Sequence, residues 1–206
     1  MILQISKALG QFVVTILLIT GCSRPNTNAD PDELILENEK ALLKIELQGG
    51  MYTDFHLKEN SVNPFTWEAT TEQMPKNNLP YSFKGHFLCT GRWGAPSDEE
   101  IAAGIPHNGE VNTQRWEITK PLSYENEMFS VEMRCQAPIE KLDVVRTINF
   151  PHKGSYFIVT EKFTNNLPVG RQCNFVQHPT IAAPFLSEKT IINTNAGRGL
   201  DQETHF

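Results

Sequence analysis

The 206-residue sequence gathers its basic residues nowhere. Its 18 Lys and Arg are scattered singly and the formal net charge is −6. That excludes nucleic acid as a partner, because a phosphate backbone requires a concentrated basic face. Cysteine is scarce, four residues in all, with no CxxC pair and no metal-ligand spacing, so a zinc site is not expected and nothing calls for a metal or other cofactor. Long apolar runs are missing too: the best, Phe12 to Ile19, is too short to cross a bilayer. After residue 22 no sustained 3.6-residue period appears, which removes the helical fold classes. The length and a hydrophobic content of 39% suffice for one substantial core, and no composition shift marks a second domain.

What is present begins at the N-terminus. Lys7 precedes the apolar run, which ends in Ile19-Thr20-Gly21-Cys22. A branched apolar residue and small residues directly before a cysteine resemble a bacterial lipoprotein signal. The resemblance implies that residues 1–22 are a signal peptide, that Cys22 becomes the lipidated N-terminus, and that the protein sits in the bacterial cell envelope at the periplasmic or outer-membrane face. An ordinary secretory signal or a short membrane anchor stays open. Residues 23–33 then read as a polar, proline-containing tether without periodicity, and residues 34–206 as the folded domain. Cys89, Cys135 and Cys173 each lie in a strand-like run, where a free cysteine behaves as a small buried apolar group.

From Leu34 onward the ruling pattern is alternation. Leu43, Ile45 and Leu47 alternate with Lys44 and Glu46, Gly49-Gly50 turns the chain, and Met51 to Leu57 returns as a hairpin would. Gln114 to Thr119 reads as a strand with Trp116 and Ile118 on one face. Phe129, Val131, Met133 and Cys135 alternate strictly with polar neighbours, and Leu142 to Phe150 and Phe157 to Phe163 follow. The expected fold class is all-β, two antiparallel sheets face to face. In Arg171 to His178, placing Cys173 and Phe175 in the core puts Gln172, Asn174, Val176 and His178 on the other, mostly polar face.

One stretch concentrates the residue types that make sites: Gly85 to Glu110, GHFLCTGRWGAPSDEEIAAGIPHNGE. It reads as a strand (His86 to Thr90), a tight Gly91-Arg92-Trp93-Gly94 turn, a short helix and then Pro106-His107-Asn108-Gly109. Ser97 and Glu100 form a capping box and Gly104 ends the helix. So long a connection between two strands reads as a binding loop.

The Arg92-Trp93-Gly94 turn, the Pro106-His107-x-Gly109-Glu110 motif and the later Val176-Gln177-His178-Pro179 together resemble the aldose 1-epimerase, or galactose mutarotase-like, superfamily. The two histidines are 178 − 107 = 71 residues apart, room for about five strands. The resemblance, covering Leu34 to the end, implies a mutarotase-like β-sandwich (supersandwich) and interconversion of hexose anomers by acid/base ring opening. It implies His178 as the general acid at the ring oxygen, His107 as a substrate hydrogen-bonding residue, and a hexose or glycan end as ligand. Imidazole suits the step because its ordinary pKa, about 6.5, lies near neutrality. Arg92 is a candidate donor to sugar hydroxyls and Trp93 a stacking surface. The family's catalytic base, a glutamate far beyond the second histidine, has no counterpart in the 206 − 178 = 28 residues that follow His178. The domain is therefore expected to be incomplete at its C-terminus, leaving a long unpaired strand edge and exposed apolar surface. The context Gln177-His178-Pro179 also departs from the family's Asn-His-Ser/Thr.

Three readings follow: an aldose 1-epimerase-like lipoprotein, a non-catalytic membrane-tethered carbohydrate-binding module, and an accessory lipoprotein without a ligand. The first two require His107 and His178 to approach within about 10 Å over one concave sheet face, so that one ring touches both. Taken singly, His178 is a strand-end histidine bonded to backbone, His107 a turn histidine in a solvated loop, and Arg92 a surface arginine. His56, His86, His152 and His205 read as structural or solvated.

Overall fold

A computed structural model of the chain describes residues 32–74, 82–91, 94–193, 195 and 197. Cys22, the signal, most of the tether, Arg92, Trp93 and His205 lie outside the described residues. The described chain is all-β, as the alternation demands. Its strands are β1 (Glu33–Glu37), β2 (Ala41–Glu46), β3 (Met51–Leu57), β4 (His86–Thr90), β5 (Glu117–Glu125), β6 (Met128–Ala137), β7 (Leu142–Pro151), β8 (Ile158–Asn165) and β9 (Phe175–Pro179), with one five-residue helix, α1 (Asp98–Ala102). They form two antiparallel sheets, β1-β2-β3-β4-β9 and β5-β6-β7-β8.

The strict alternation in β6 and β7 makes them the spine of the second sheet. They pair residue for residue from Met128–Pro151 to Ala137–Leu142, so Phe129, Val131, Met133 and Cys135 face inward beside Val144, Ile148 and Phe150, all buried. They meet Leu36, Leu43, Ile45 and Leu88 of the first sheet in one core. Burying each of the larger side chains contributes about 1.5–3 kcal/mol. A smaller cluster, Met51, Ala69, Phe83, Phe87 and Cys89, lies apart from that core, because β4 turns Phe87 and Cys89 away from the face that carries Leu88.

One inward position of β7 holds a charge. Arg146 is fully buried, its guanidinium carbon 4.1 Å from the ring centre of Trp116 and 5.0 Å from that of Tyr52. Its Nε donates to Glu161 Oε1 at 2.8 Å and its Nη1 to the Gly50 carbonyl at 2.6 Å. The ion pair, the Gly50 carbonyl and two aromatic faces replace part of the water such a group would otherwise require, while Nη2 is buried without a hydrogen-bond partner among the described residues.

Two expectations change. Trp116 and Ile118 do not share an environment: Trp116 is buried, while Ile118 is 43% exposed. Trp116 precedes β5, and β5 pairs only with β6 and slips register beside Ile118, so this outer strand cannot keep one face on the core. The face of β9 bearing Val176 and His178 is not mostly polar either. Val176 packs on the smaller apolar cluster and His178 on Phe87, because β4 presents its apolar side chains there.

Candidate functional site

The expected strand from His86 to Thr90 is β4, and the site is built on it. β4 is hydrogen-bonded to β9, with Phe87 opposite His178 and Thr90 opposite Phe175. The imidazole of His178 stacks on the Phe87 ring, centroids 4.5 Å apart and planes 14° from parallel. Its Nδ1 is 3.0 Å from Thr180 Oγ1, which fixes the ring's orientation. The side chain is half-buried, and that loss of water lowers its pKa below the ordinary 6.5.

The loop carrying His107 joins the other end of β4. Helix α1 has the Ser97–Glu100 capping box foreseen in the sequence, and Gly104 follows its C-cap with a φ of 83°. Next, Asn108 takes a left-handed φ of 65° and welds the loop down. Its carbonyl accepts from Thr90 N–H at 3.1 Å, its N–H donates to the Gly94 carbonyl at 3.1 Å, and its Oδ1 accepts from Gly94 N–H at 2.9 Å. Gly109 has a φ of 81°, and a Cβ there would lie 2.2 Å from the Thr90 carbonyl oxygen. Only glycine permits so close a backbone approach. His107 is half-buried, and desolvation lowers its pKa as well.

Two buried glutamates finish the mount. Glu140, in the turn between β6 and β7, accepts at Oε2 from the Thr90 hydroxyl at 2.5 Å and from Glu110 N–H at 2.7 Å. Glu110 Oε2 accepts in turn from the backbone N–H groups of Ile139 and Glu140, each at 2.9 Å. The second sheet thus holds both the end of β4 and the loop of His107. Glu110 is committed to this structural work and is not turned outward as a base, and Glu117 is exposed on β5.

His178 sits opposite Phe87 of β4, and the residue after His107 bonds at Thr90, the last residue of that strand; Phe87 and Thr90, three positions apart, face opposite sides of the sheet. Trp116 and Trp67 are taken up by packing, the first in the main core and the second against the smaller cluster. The residues that sequence reasoning missed are the supporting ones: Asn108, Glu110, Glu140 and the pair His86–Gln177. His86 Nε2 lies 2.8 Å from Gln177 Oε1, and Gln177 Nε2 donates to Glu161 Oε2 at 2.7 Å, so the strand residue next to His178 is tied across to the other sheet. The Pro-His-Asn-Gly run signalled a turn; nothing in it signalled which strand the turn would join.

No family model matches the chain, and no curated protein matches it. A solved structure described as a crystal structure analysis of HI1317 is similar with a TM-score of 0.42 and 15% identity, over 58% of this chain and 40% of that one. The match thus spans less than half of that protein's length, and a likeness of this extent carries no assignment of activity.

Proposed function

We propose that this chain binds a hexose, or the hexose end of a glycan, along the β4–β9 strand pair, as an aldose 1-epimerase-like domain tethered at the cell envelope through a lipid on Cys22. The observation that supports the reading is that His178, on β9, stacks on Phe87 of β4 while the residue after His107, 71 residues earlier in sequence, is hydrogen-bonded to Thr90 at the end of that strand. A neutral imidazole both donates and accepts a hydrogen bond, which is what a sugar hydroxyl or ring oxygen requires. Burial favours that neutral form at both histidines. Arg92 and Trp93, the candidate sugar contacts beside Gly94, belong to the same proposal.

A second reading, turnover by ring opening, draws on the oriented ring of His178, whose Nδ1 is held by Thr180 Oγ1. An imidazole with a lowered pKa is protonated in only a small fraction of molecules at neutral pH, though a good acid when protonated. Binding therefore stands ahead of catalysis.

The test is a titration of 15N-labelled protein with glucose, galactose and a non-sugar polyol of similar size. Shifts confined to β4, β9 and residues 105–110, lost in His178→Ala and weakened in His107→Ala but kept in His152→Ala, support the proposal. A response to the polyol equal to that for both hexoses, or none to any of them, overturns it. Polarimetry on freshly dissolved α-glucose and α-galactose then separates the readings: rates equal with and without protein remove catalysis.

A further inference from the structure

Among the described strands β9 pairs only with β4, so its backbone is fixed from one side. Alternation sends Val176 and His178 to one face of the sheet and Phe175 and Gln177 to the other. The second pair reaches β8, the edge strand of the opposite sheet. The Phe175 ring stacks on Phe163, centroids 3.7 Å apart and planes 22° from parallel, and Gln177 Nε2 donates to Glu161 Oε2 at 2.7 Å. The free side of β9 is thus held by side chains rather than by a further strand.

The polarity of the Gln177 contacts is forced. Glu161 Oε1 accepts from Arg146 Nε at 2.8 Å, and a carboxylate only accepts, so the Gln177 amide turns its NH2 toward Glu161. Its Oε1 then lies 2.8 Å from His86 Nε2, and an acceptor there requires that nitrogen to carry the proton. Burial favours the neutral imidazole at His86, which leaves the lone pair on Nδ1. A flipped amide would set oxygen against carboxylate and strand both donors. One arrangement therefore satisfies the series from Arg146 through Glu161 and Gln177 to His86.

We infer that this series is a latch that positions His178, with Gln177 as its positioning residue and His86 held as the Nε2–H tautomer. His178 is the next residue along β9, and its contacts with the Phe87 ring and with Thr180 Oγ1 hold only while β9 keeps its register on β4, Phe87 opposite His178. The anchor does not swing, because the Arg146 and Glu161 side chains are 0% and 7% exposed. What the ring is positioned to do rests on the hexose reading; the tautomer rests on hydrogen-bond polarity alone. A site whose side chains are ordered before the ligand arrives pays less to bind it.

Gln177 is exposed, so substituting it removes no core packing. The experiment follows imidazole nitrogens and ring protons of the full chain by NMR near neutral pH. Expected in the wild type are a protonated Nε2 and a bare Nδ1 at His86, and cross-relaxation between the His178 and Phe87 rings. Gln177→Glu removes the NH2 and sets carboxylate against carboxylate. It should lose that cross-relaxation and weaken glucose or galactose binding about fivefold, the worth of one neutral hydrogen bond. Adding Glu161→Gln exchanges amide and carboxylate while keeping every donor direction from Arg146 to His86, and should restore both. Thr160→Glu, which puts the same charge on the exposed face of β8, should change neither. A proton on His86 Nδ1, an unchanged ring contact in Gln177→Glu, or a folded double variant no better than the single one would overturn the inference. A ring contact that is lost and regained without any hexose response in the wild type removes the hexose reading and leaves the latch standing.

Discussion

Glu110 and Glu140 hold one another by exchange, each carboxylate accepting the other's backbone N–H, from Glu110 at 2.7 Å and from Glu140 at 2.9 Å. They are 30 residues apart, and both are buried. Through Thr90, whose hydroxyl also donates to Glu140, the exchange ties the end of a strand in one sheet to a turn in the other.

Removing one side of this clasp strands donors that water cannot reach. Glu140→Ala leaves the Thr90 hydroxyl and the Glu110 N–H without their acceptor, and each hydrogen bond to a charged group is worth about 1.5–3 kcal/mol. The variant should lose about 2–4 kcal/mol in urea denaturation, well above the effect of Glu188→Ala on the exposed surface. A loss under about 0.5 kcal/mol, the scale of an ordinary surface change, would show that the clasp is not structural.

The alternation of β6 and β7, the hairpin through Gly49-Gly50, the strand His86–Thr90 and the capped helix were all legible, because each is written in local periodicity or local caps. The partners of Glu110 and Glu140 were not. A glutamate after a turn reads as solvated until the fold brings distant N–H groups to it, and the sequence carries no local mark of those. Arg146 shows the same limit. It interrupts an apolar alternation in β7 and reads as a flaw there, yet Glu161, Trp116 and Tyr52 come from three other parts of the chain to receive it. The two histidines were found as a pair of motifs, while the strand beside His178 emerged only from the pairing of β4 with β9.

Burial raises the pKa of Glu110, with the charge of Glu140 adding to it and the two backbone N–H bonds opposing it. A carboxyl whose folded pKa is raised contributes stability that is complete below its unfolded value, 4.5, and is lost as pH rises through the folded value. The stability difference between wild type and Glu110→Gln should therefore be greatest near pH 4 and shrink toward pH 7. Denaturant midpoints across that range check it; a difference that grew with pH would mean the anionic form is the favoured one.

Arg146 and Glu161 form the most buried ion pair among the described residues, their side chains 0% and 7% exposed. Removing one partner of such a pair costs about 3–5 kcal/mol, because the other charge stays behind without compensation. Glu161→Leu should approach that loss and also release Gln177. Arg146→Met with Glu161→Leu should recover part of it, although the Gly50 carbonyl still loses its donor. The coupling read from the double-mutant cycle in guanidinium denaturation should exceed about 1 kcal/mol, and strictly additive losses would contradict the pairing.

His86, His107 and His178 all have pKa values lowered by desolvation. A histidine shifted this way is favoured neutral in the fold, so the stability linked to it is present above the unfolded value of 6.5 and lost as pH falls from there through the folded value. Titration of the imidazole Hε1 resonances should find His178 and His107 charging below 6.5, while a denatured sample charges near it. Hexose binding at the β4–β9 pair should then stay flat from pH 7 to 8 and weaken on acidification, as the acceptor nitrogen takes a proton. His178→Phe, which keeps a ring to stack on Phe87, should retain most of the stability and lose both the hexose response and the share of acid sensitivity due to His178. A variant that kept the hexose response would remove His178 from the site and leave it a packing residue at the edge of a β-sandwich.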